Sequence, residues 1–332
     1  MSWEVRIMRS AKSYFNSTIF FRNLKRYWPI WSLYIFALGI TVVVTLLPLY
    51  TRSGYGSNHA NTRYIYVAMR ETLPHIGAVA GAIINLIFGA ISALAVFSFL
   101  YDYKQTQMIH NLPTRREGHF FTAFASGLTW LIGANLIAFL LAFLLQLFAG
   151  YCEFAALLTF FTALCANSIC FFGIAALCAL FVGNKWGMLL LYAVLNFGAL
   201  LIEAIVRWVL SLFVFGLSAT GIGFSVLLTP VALMPIASSN AYIEDVYTLA
   251  RFIPWILVCA ALGLILAAVA LLLYRRRQLE SASELIAVKP LRPIFRYTMA
   301  FLVSGLLCGL LLELVFGYET GGRLCPSCSV CS

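Results

Sequence analysis

The stretch FAALLTFFTALCANSICFFGIAALCALFV, residues 154–182, decides the fold class. It runs for 29 residues without a charged side chain, whereas about 20 apolar residues are enough for a helix to cross the hydrocarbon core of a bilayer. A single segment in lipid has to be helical, because only a helix pairs its own backbone N–H and C=O groups. We therefore expect residues 154–182 to form a membrane-spanning helix.

The same composition extends over most of the chain. Of its 332 residues, 62% are hydrophobic and 10% are charged, against about 45–50% and about 25% in soluble domains. So few charges argue against a soluble enzyme, a disordered chain and a nucleic-acid binder. We predict an all-α integral membrane protein with about seven transmembrane helices. The predicted spans are Pro29–Tyr50, Ile76–Tyr101, Phe120–Ala149, Phe154–Val182, Met188–Gly216, Phe252–Tyr274 and Thr298–Gly317.

The positive charges are divided unequally between the two sides of the predicted membrane. Sixteen Lys and Arg residues precede the first span or follow the second, fourth and sixth, and five lie on the other side. Basic residues favour the cytoplasmic face, so the pattern predicts a cytoplasmic N-terminus. This bias also accounts for the net charge of +10 without an anionic macromolecular partner.

Residues 1–28 are predicted to form a cytoplasmic amphipathic helix in the headgroup layer. Trp3 and Ile7 recur near helical spacing, while Arg6 and Arg9 occupy a different face that suits anionic lipid. The alternative is a frayed basic tail.

The region 218–250 is apolar but interrupted. Gly221, Gly223, Pro230 and Pro235 break it. Broken backbone is tolerated at membrane depth only where protein buries it, so we predict a re-entrant pair of half-helices before the sixth span.

Motifs of catalysis and metal binding are missing from the sequence. It contains no phosphate-binding G-x-x-x-x-G-K-[ST] loop and no two histidines at metal-binding spacing. Cys325, Cys328 and Cys331 lack a fourth ligand, which favours an unstructured tail over a metal site or an oxidised pair. We expect no enzyme activity, no catalytic residues, no bound metal and no cofactor in this chain.

Polar residues inside the predicted spans point to function more directly. Glu203 and Arg207 lie four residues apart, on one face of the fifth span, and should pair. The pair either faces cargo or a second subunit, or lies neutralised inside the bundle. Four asparagines are predicted to hydrogen-bond between helices, the alternative being contact with cargo: Asn85, Asn135, Asn167 and Asn196.

The loop at 102–119, DYKQTQMIHNLPTRREGH, carries a small apolar face on a polar turn. It should continue the second span as a helix and stop before Pro113. Such a face suits docking into a groove of a soluble partner. The alternative is that the second span is a long helix that extends beyond the membrane and turns back. The apolar side chains are those of Tyr103, Met108, Ile109 and Leu112.

Two stretches carry a family resemblance. MIHNLPTRREGHFF at 108–121 and LLLYRRRQLESASELIAVKPLRPIFRY at 271–297 resemble the permease subunits of bacterial ABC-type exporters of the type-2 class. The stretch at 271–297 is especially similar to a branch, common in Firmicutes, that continues beyond six spans. The order of parts agrees over about Met1 to Gly317.

The resemblance implies a division of labour between subunits. A separately encoded ATPase subunit would bind ATP and dock on the loop, while two permeases, identical or different, would enclose the path of an amphipathic drug, peptide or lipid. The parts beyond the six-helix permease core 29–274 would be a basic cytoplasmic loop 275–297, a seventh helix 298–317 and a cysteine-containing tail 318–332. The docking residues implied are Tyr103, Lys104, Met108, Ile109, Leu112, Arg115 and Arg116.

Two other functions remain open from the residues alone. An ion-coupled secondary transporter would show inverted repeats and several intramembrane carboxylates, whereas only Glu203 is placed centrally here. A non-transporting membrane sensor or assembly protein would tolerate replacement of Glu203 and Arg207.

Overall fold

A computed structural model of the protein describes residues 15–53, 68, 70–101, 116–148, 150, 152–213, 229–233 and 252–276, with short pieces between 293 and 311. Almost all of these residues are helical, and none of them lies in a strand. Within this described part of the chain, six helices are long and apolar enough to cross a membrane, so the chain is a helical multi-pass membrane protein. They are Trp28–Pro48, Arg70–Val96, Glu117–Phe148, Phe154–Phe181, Lys185–Arg207 and Phe252–Tyr274.

These six helices correspond to the first six predicted spans. The predicted seventh span, 298–317, lies mostly outside the described residues, as does the predicted re-entrant region 218–250 apart from 229–233. The third spanning helix begins at Arg116, four residues before the predicted span Phe120–Ala149, so it includes the last residues of the predicted loop 102–119. Apolarity alone marks where lipid begins, and a helix continues past that point wherever its backbone remains paired.

Seven α helices of the described ranges are numbered in chain order. The second spanning helix is α-helical at 70–75, forms a π-helical turn at Ile76–Ala80 and is α-helical again from Gly81. A short 3-10 turn, Ser98–Leu100, follows it. The helices are α1 Ser17–Arg26, α2 Trp28–Ser53, α3 Gly81–Val96, α4 Arg116–Phe148, α5 Phe154–Phe181, α6 Lys185–Phe213 and α7 Phe252–Arg276.

The chain forms two compact units. The first comprises Met1–Asn196 and Pro230–Val288, and the second comprises Phe197–Thr229 and Lys289–Ser332. The division falls within α6, whose first twelve residues belong to the first unit.

Helix α5 forms the centre of the first unit. Its membrane-length window is 83% buried, and the corresponding windows of the other candidate spans reach at most 50%. The most extensive helix contact is the one between α5 and α7, followed by the contact between α3 and α5. Small side chains explain this position, because helices in lipid approach most closely where alanine, glycine, serine or cysteine lines the contact.

A four-residue repeat brings the second spanning helix against α5. Gly81, Asn85 and Gly89 are each four residues apart in the α-helical part and so share one face. Gly77 of the π-helical turn also lies against α5, because a Cβ there would be 3.0 Å from the carbonyl oxygen of Phe160. A Cβ at Gly81 would lie 2.7 Å from Leu164 Cδ2, and a Cβ at Gly89 would lie 3.1 Å from Phe171 Cβ. The glycines therefore set how near the two helices come.

The α5–α7 crossing is closer still. A Cβ at Gly173 would lie 2.4 Å from the carbonyl oxygen of Gly263, and a Cβ at Gly263 would lie 2.4 Å from that of Ile169. Both distances are to backbone atoms, which cannot turn aside as a side chain does. The two helices meet backbone to backbone at this point.

Candidate functional site

Most of the predicted docking loop lies outside the described residues. This applies to Tyr103, Lys104, Met108, Ile109, Leu112 and Arg115. Arg116 is the first residue of α4. The docking role of these seven residues stays a prediction from the sequence.

Glu203 and Arg207 form an ion pair on α6, in the second unit. The pair joins Glu203 Oε1 to an Arg207 guanidinium nitrogen across one helical turn. The side chains are 22% and 33% exposed, respectively, so the pair is neither sealed in the interior nor fully open. The pairing itself was predicted from the spacing.

A buried polar cluster lies in the first unit, where four helices meet. We define it as Tyr34 of α2, Asn85 of α3, Asn135 of α4 and Ser168 of α5. All four residues are fully buried. Buried polar groups are costly in an apolar surrounding unless they are hydrogen-bonded, and these four bond to one another.

The hydroxyl of Tyr34 connects α2 to two other helices. It lies 2.9 Å from Asn85 Oδ1 and 2.7 Å from Asn135 Oδ1 and donates its one hydrogen to either. Asn135 in turn donates from Nδ2 to Ser168 Oγ at 2.8 Å. The Ser168 hydroxyl lies 2.7 Å from Asn85 Oδ1, which closes the circuit.

Local sequence places each member of this polar cluster. Tyr34 belongs to the buried stripe of α2, which repeats at helical spacing. Asn85 stands within the glycine repeat, and its Nδ2 also donates to the carbonyl oxygen of Gly81 at 2.8 Å. The buried stripe of α2 consists of Trp31, Tyr34, Leu38, Val42 and Leu46.

A further polar contact reaches the π-helical turn. Asn167 Nδ2 of α5 donates to the carbonyl oxygen of Gly77 at 3.1 Å. Wide turns of this kind often lie at functional positions. Here the asparagine fixes the turn to the central helix.

The predictions for the four asparagines had different outcomes. Asn85, Asn135 and Asn167 bond between helices as predicted. Asn196 was predicted wrongly, because its Nδ2 donates to the carbonyl oxygen of Tyr192 within its own helix. In its place the Tyr192 hydroxyl bonds across to the carbonyl oxygen of Leu86 at 2.9 Å.

Sequence reasoning missed three of these contact residues. Tyr34 and Tyr192 lie within predicted apolar spans and were not singled out, although each carries a hydroxyl that needs a partner when buried. Ser168 follows Asn167 directly and was overlooked beside it. The four-residue repeat Gly77, Gly81, Asn85, Gly89 was the signal that could have located the interface.

Metal ligation has no visible basis in the described part of the chain. No group of three or more His, Cys, Asp or Glu side chains comes together there. Cys165 approaches the polar cluster, with its Sγ 3.9 Å from Asn135 Nδ2. The cysteines of the tail, at 325, 328 and 331, lie outside the described residues.

The polar cluster joins α2, α3, α4 and α5 by neutral hydrogen bonds. Each of its amides and hydroxyls has a partner within the protein. Such a network rigidifies the helices that contribute to it. The ion pair on α6, by contrast, is charged and partly exposed.

No protein-family model matches the sequence, and no curated protein matches it significantly. A functional proposal therefore rests on the chain's own spans, charges and contacts, together with the resemblance of its two short stretches.

Proposed function

We propose that this chain is the membrane-spanning permease subunit of an ATP-driven ABC-type exporter of the type-2 class. The observation that carries the proposal is the order of its helices: the amphipathic helix α1, one residue, and then the first of six candidate spans. The stretches 108–121 and 271–297 resemble those permeases at the matching places in this order.

Energy comes from another subunit in this proposal. An ATPase binds and hydrolyses ATP, and it grips the loop that joins the second and third spans. Tyr103, Met108, Ile109 and Leu112 offer it an apolar face. The N-terminus and this loop then lie on the cytoplasmic side of a bacterial cytoplasmic membrane, in keeping with the excess of basic residues there.

The contacts of the first unit suit a body that moves as one piece. The polar cluster connects four helices, and glycines bring the second and sixth spanning helices onto α5. Rigid-body rotation of packed helices is a common way to convert closure of one subunit into a change of access in another. A push on the loop before α4 would reach α5 through Asn135 and Ser168.

The exported substrate is proposed to be amphipathic, and Glu203 and Arg207 are proposed to face its path or a second permease. Their partial exposure supports this placement. A fully self-contained pair would gain most from complete burial in the bundle, because an unshielded charge in lipid is costly.

Co-purification tests the proposal most directly. A tagged copy, expressed with its neighbouring genes and purified in mild detergent, should recover an ATPase subunit in stoichiometric amount. Inside-out vesicles should then accumulate a fluorescent amphipath with ATP and lose the activity with vanadate, whereas collapse of the proton gradient should leave it. Uptake that depends on the proton gradient and is insensitive to vanadate would favour the alternative, an ion-coupled secondary transporter.

Substitution in the loop tests the docking face. The double variant Met108→Asp/Ile109→Asp should insert normally but lose ATP-dependent transport and recovery of the ATPase, because two charges would enter an apolar contact. Gln107→Asp is the matched control, since it adds a charge to the same loop at a polar position. Normal transport by the double variant would refute the docking assignment.

A further inference from the structure

Helix α1 has three distinct sides. One side is partly buried and consists of Ile19, Phe20, Asn23 and Leu24. The remaining residues of α1 are exposed. Because consecutive residues of a helix are about 100° apart, this exposed half is wide enough to present two different surfaces.

The partly buried side is fixed to α4 by two hydrogen bonds. The backbone N–H of Asn16 donates to Thr122 Oγ1 at 3.2 Å, and Asn23 Nδ2 donates to Ser126 Oγ at 3.4 Å. Thr122 and Ser126 are buried. The Asn16 side chain also caps α1 by accepting from the N–H groups of Thr18 and Ile19. The orientation of α1 about its own axis is therefore set.

The exposed half has an aromatic edge and a cationic edge. Phe21 is 58% exposed, and Trp28, just beyond the helix, is 63% exposed. The other edge is formed by Arg22 and Arg26, which are one turn apart. Lys25 lies between this cationic edge and the aromatic edge. Arg26 stacks over the ring of Tyr27 with 5.5 Å from Cζ to the ring centroid, which leaves its N–H donors available.

The cations of α1 lack acidic neighbours in the sequence. No Asp or Glu occurs from residue 5 to residue 70. Within the described ranges, Arg22 and Lys25 make no ion pair. Helix α4, against which α1 packs, carries one acid in its first turn, Glu117. Three cations on one short helix are thus suited to an anionic partner.

The position of α1 identifies that partner. Only Tyr27 separates it from α2, a candidate span, so α1 lies where the bilayer surface begins. At that depth the available anions are phospholipid headgroups. Exposed aromatic rings at the same depth are typical of side chains that enter the upper acyl region.

We propose that α1 is a binding surface for anionic phospholipid, with Arg22, Lys25 and Arg26 on the headgroup phosphates and Phe21 and Trp28 in the acyl region. Since α1 is bonded to α4, bound lipid also positions the beginning of α4. The proposal does not depend on the transport function and applies equally if the chain exports nothing.

Lipid enrichment tests the proposal on the full-length chain. The purified protein is incorporated into nanodiscs from an excess of equimolar zwitterionic and anionic phospholipid of the same acyl chains, and the retained lipid is quantified by mass spectrometry after partial delipidation. The native chain should retain mainly the anionic lipid. The variant Arg22→Gln/Lys25→Gln/Arg26→Gln should lose this preference by at least about fivefold, the effect of one cation near an anionic surface.

Control variants separate the surface from general charge. Lys185→Gln removes an exposed cation at the first residue of α6 and should retain the preference. Arg22→Lys/Arg26→Lys keeps the charge and should retain most of it. If the triple variant fails to fold, Lys25→Gln alone should produce a partial loss, because this single exposed cation can be replaced without disturbing the buried side of α1.

The depth of α1 provides another readout. Phospholipid brominated near the headgroup should quench the tryptophan fluorescence of the native chain more than that of the variant Trp28→Phe. The difference is the contribution of the exposed Trp28 indole. An unchanged lipid preference in the triple variant, or equal quenching of the two proteins, would overturn the proposal. A preference abolished by added inorganic phosphate would assign the cations to free anions and overturn it as well.

Discussion

Helices α5 and α6 follow each other in the chain and are equally apolar, yet their surroundings are opposite. The membrane-length window of α5 is 83% buried, whereas that of α6 is 17% buried. The most apolar candidate span, α7, is only 22% buried. Mean hydropathy therefore predicts that a helix lies in the membrane, but it does not predict whether the helix faces lipid or protein.

Side-chain size explains the difference between the two helices. Seven of the 28 residues of α5 are alanine, three are cysteine and one is glycine, whereas α6 is richer in leucine. Lipid tails are as apolar as leucine, so no hydrophobic force draws one spanning helix toward another. Close packing and hydrogen bonds do so, and α5 has both, with its glycine crossings and the polar cluster.

The largest expected effect is at the α5–α7 crossing. Gly173→Ala should lower the free energy of unfolding by about 3 kcal/mol, the upper part of the range for overpacking, because the added Cβ meets backbone. Titration of the purified protein with a denaturing detergent, followed by circular dichroism, measures this.

Gly133→Ala on α4 is the matched control. A Cβ there meets nothing within 4 Å, and replacing a mid-helix glycine by alanine stabilises by about 0.5–1 kcal/mol. The two substitutions should thus change stability in opposite directions. Equal effects would contradict the close crossing.

An intermediate effect is expected at the polar cluster. Tyr34→Phe removes the hydroxyl that Asn135 Oδ1 accepts from and should cost about 1.5 kcal/mol, near the maximum measured for hydrogen bonds in membranes. A double-mutant cycle with Ser168→Ala should show a coupling energy beyond the error of the titration. Additive losses would mean that the two hydroxyls act separately.

The smallest effect on stability is expected on α6. If the pair faces a hydrated path, as proposed, Glu203→Gln breaks a partly exposed ion pair between residues four apart and should cost about 0.5 kcal/mol. If the pair faces the substrate path, transport in the vesicle assay should fall much more than stability does. A loss of stability as large as that of Tyr34→Phe would place the pair in the packed interior.

The sequence was sufficient to predict the fold class and the first six spans, because apolar length alone determines both. It also predicted the ion pair of α6 and three interhelical asparagines, since an uncompensated polar group in lipid has few alternatives. The spatial arrangement could not be obtained in this way. Which helix is central depends on small residues such as Gly173 and Gly263, which a hydropathy average scarcely distinguishes from their neighbours.

The polar cluster shows a different reason why part of the site was missed. Tyr34 lies in an apolar run, and its hydroxyl becomes significant only once Asn85 and Asn135 are known to lie opposite. Those partners are 51 and 101 residues away along the chain. Local patterns supply the donors and acceptors, and the packing of distant helices pairs them.

The π-helical turn at Ile76–Ala80 changes the phase of the helix that contains it. A π turn takes up one more residue than an α turn, so side chains before it are rotated by about 100° from where an uninterrupted helix would place them. Arg70 and Glu71 consequently occupy a different azimuth from the one that the glycine repeat alone would assign to them. A single wide turn thus lets the two segments of one transmembrane helix face different directions. The segment after the turn faces α5, and the segment before it, which contains Arg70 and Glu71, is rotated away from that direction.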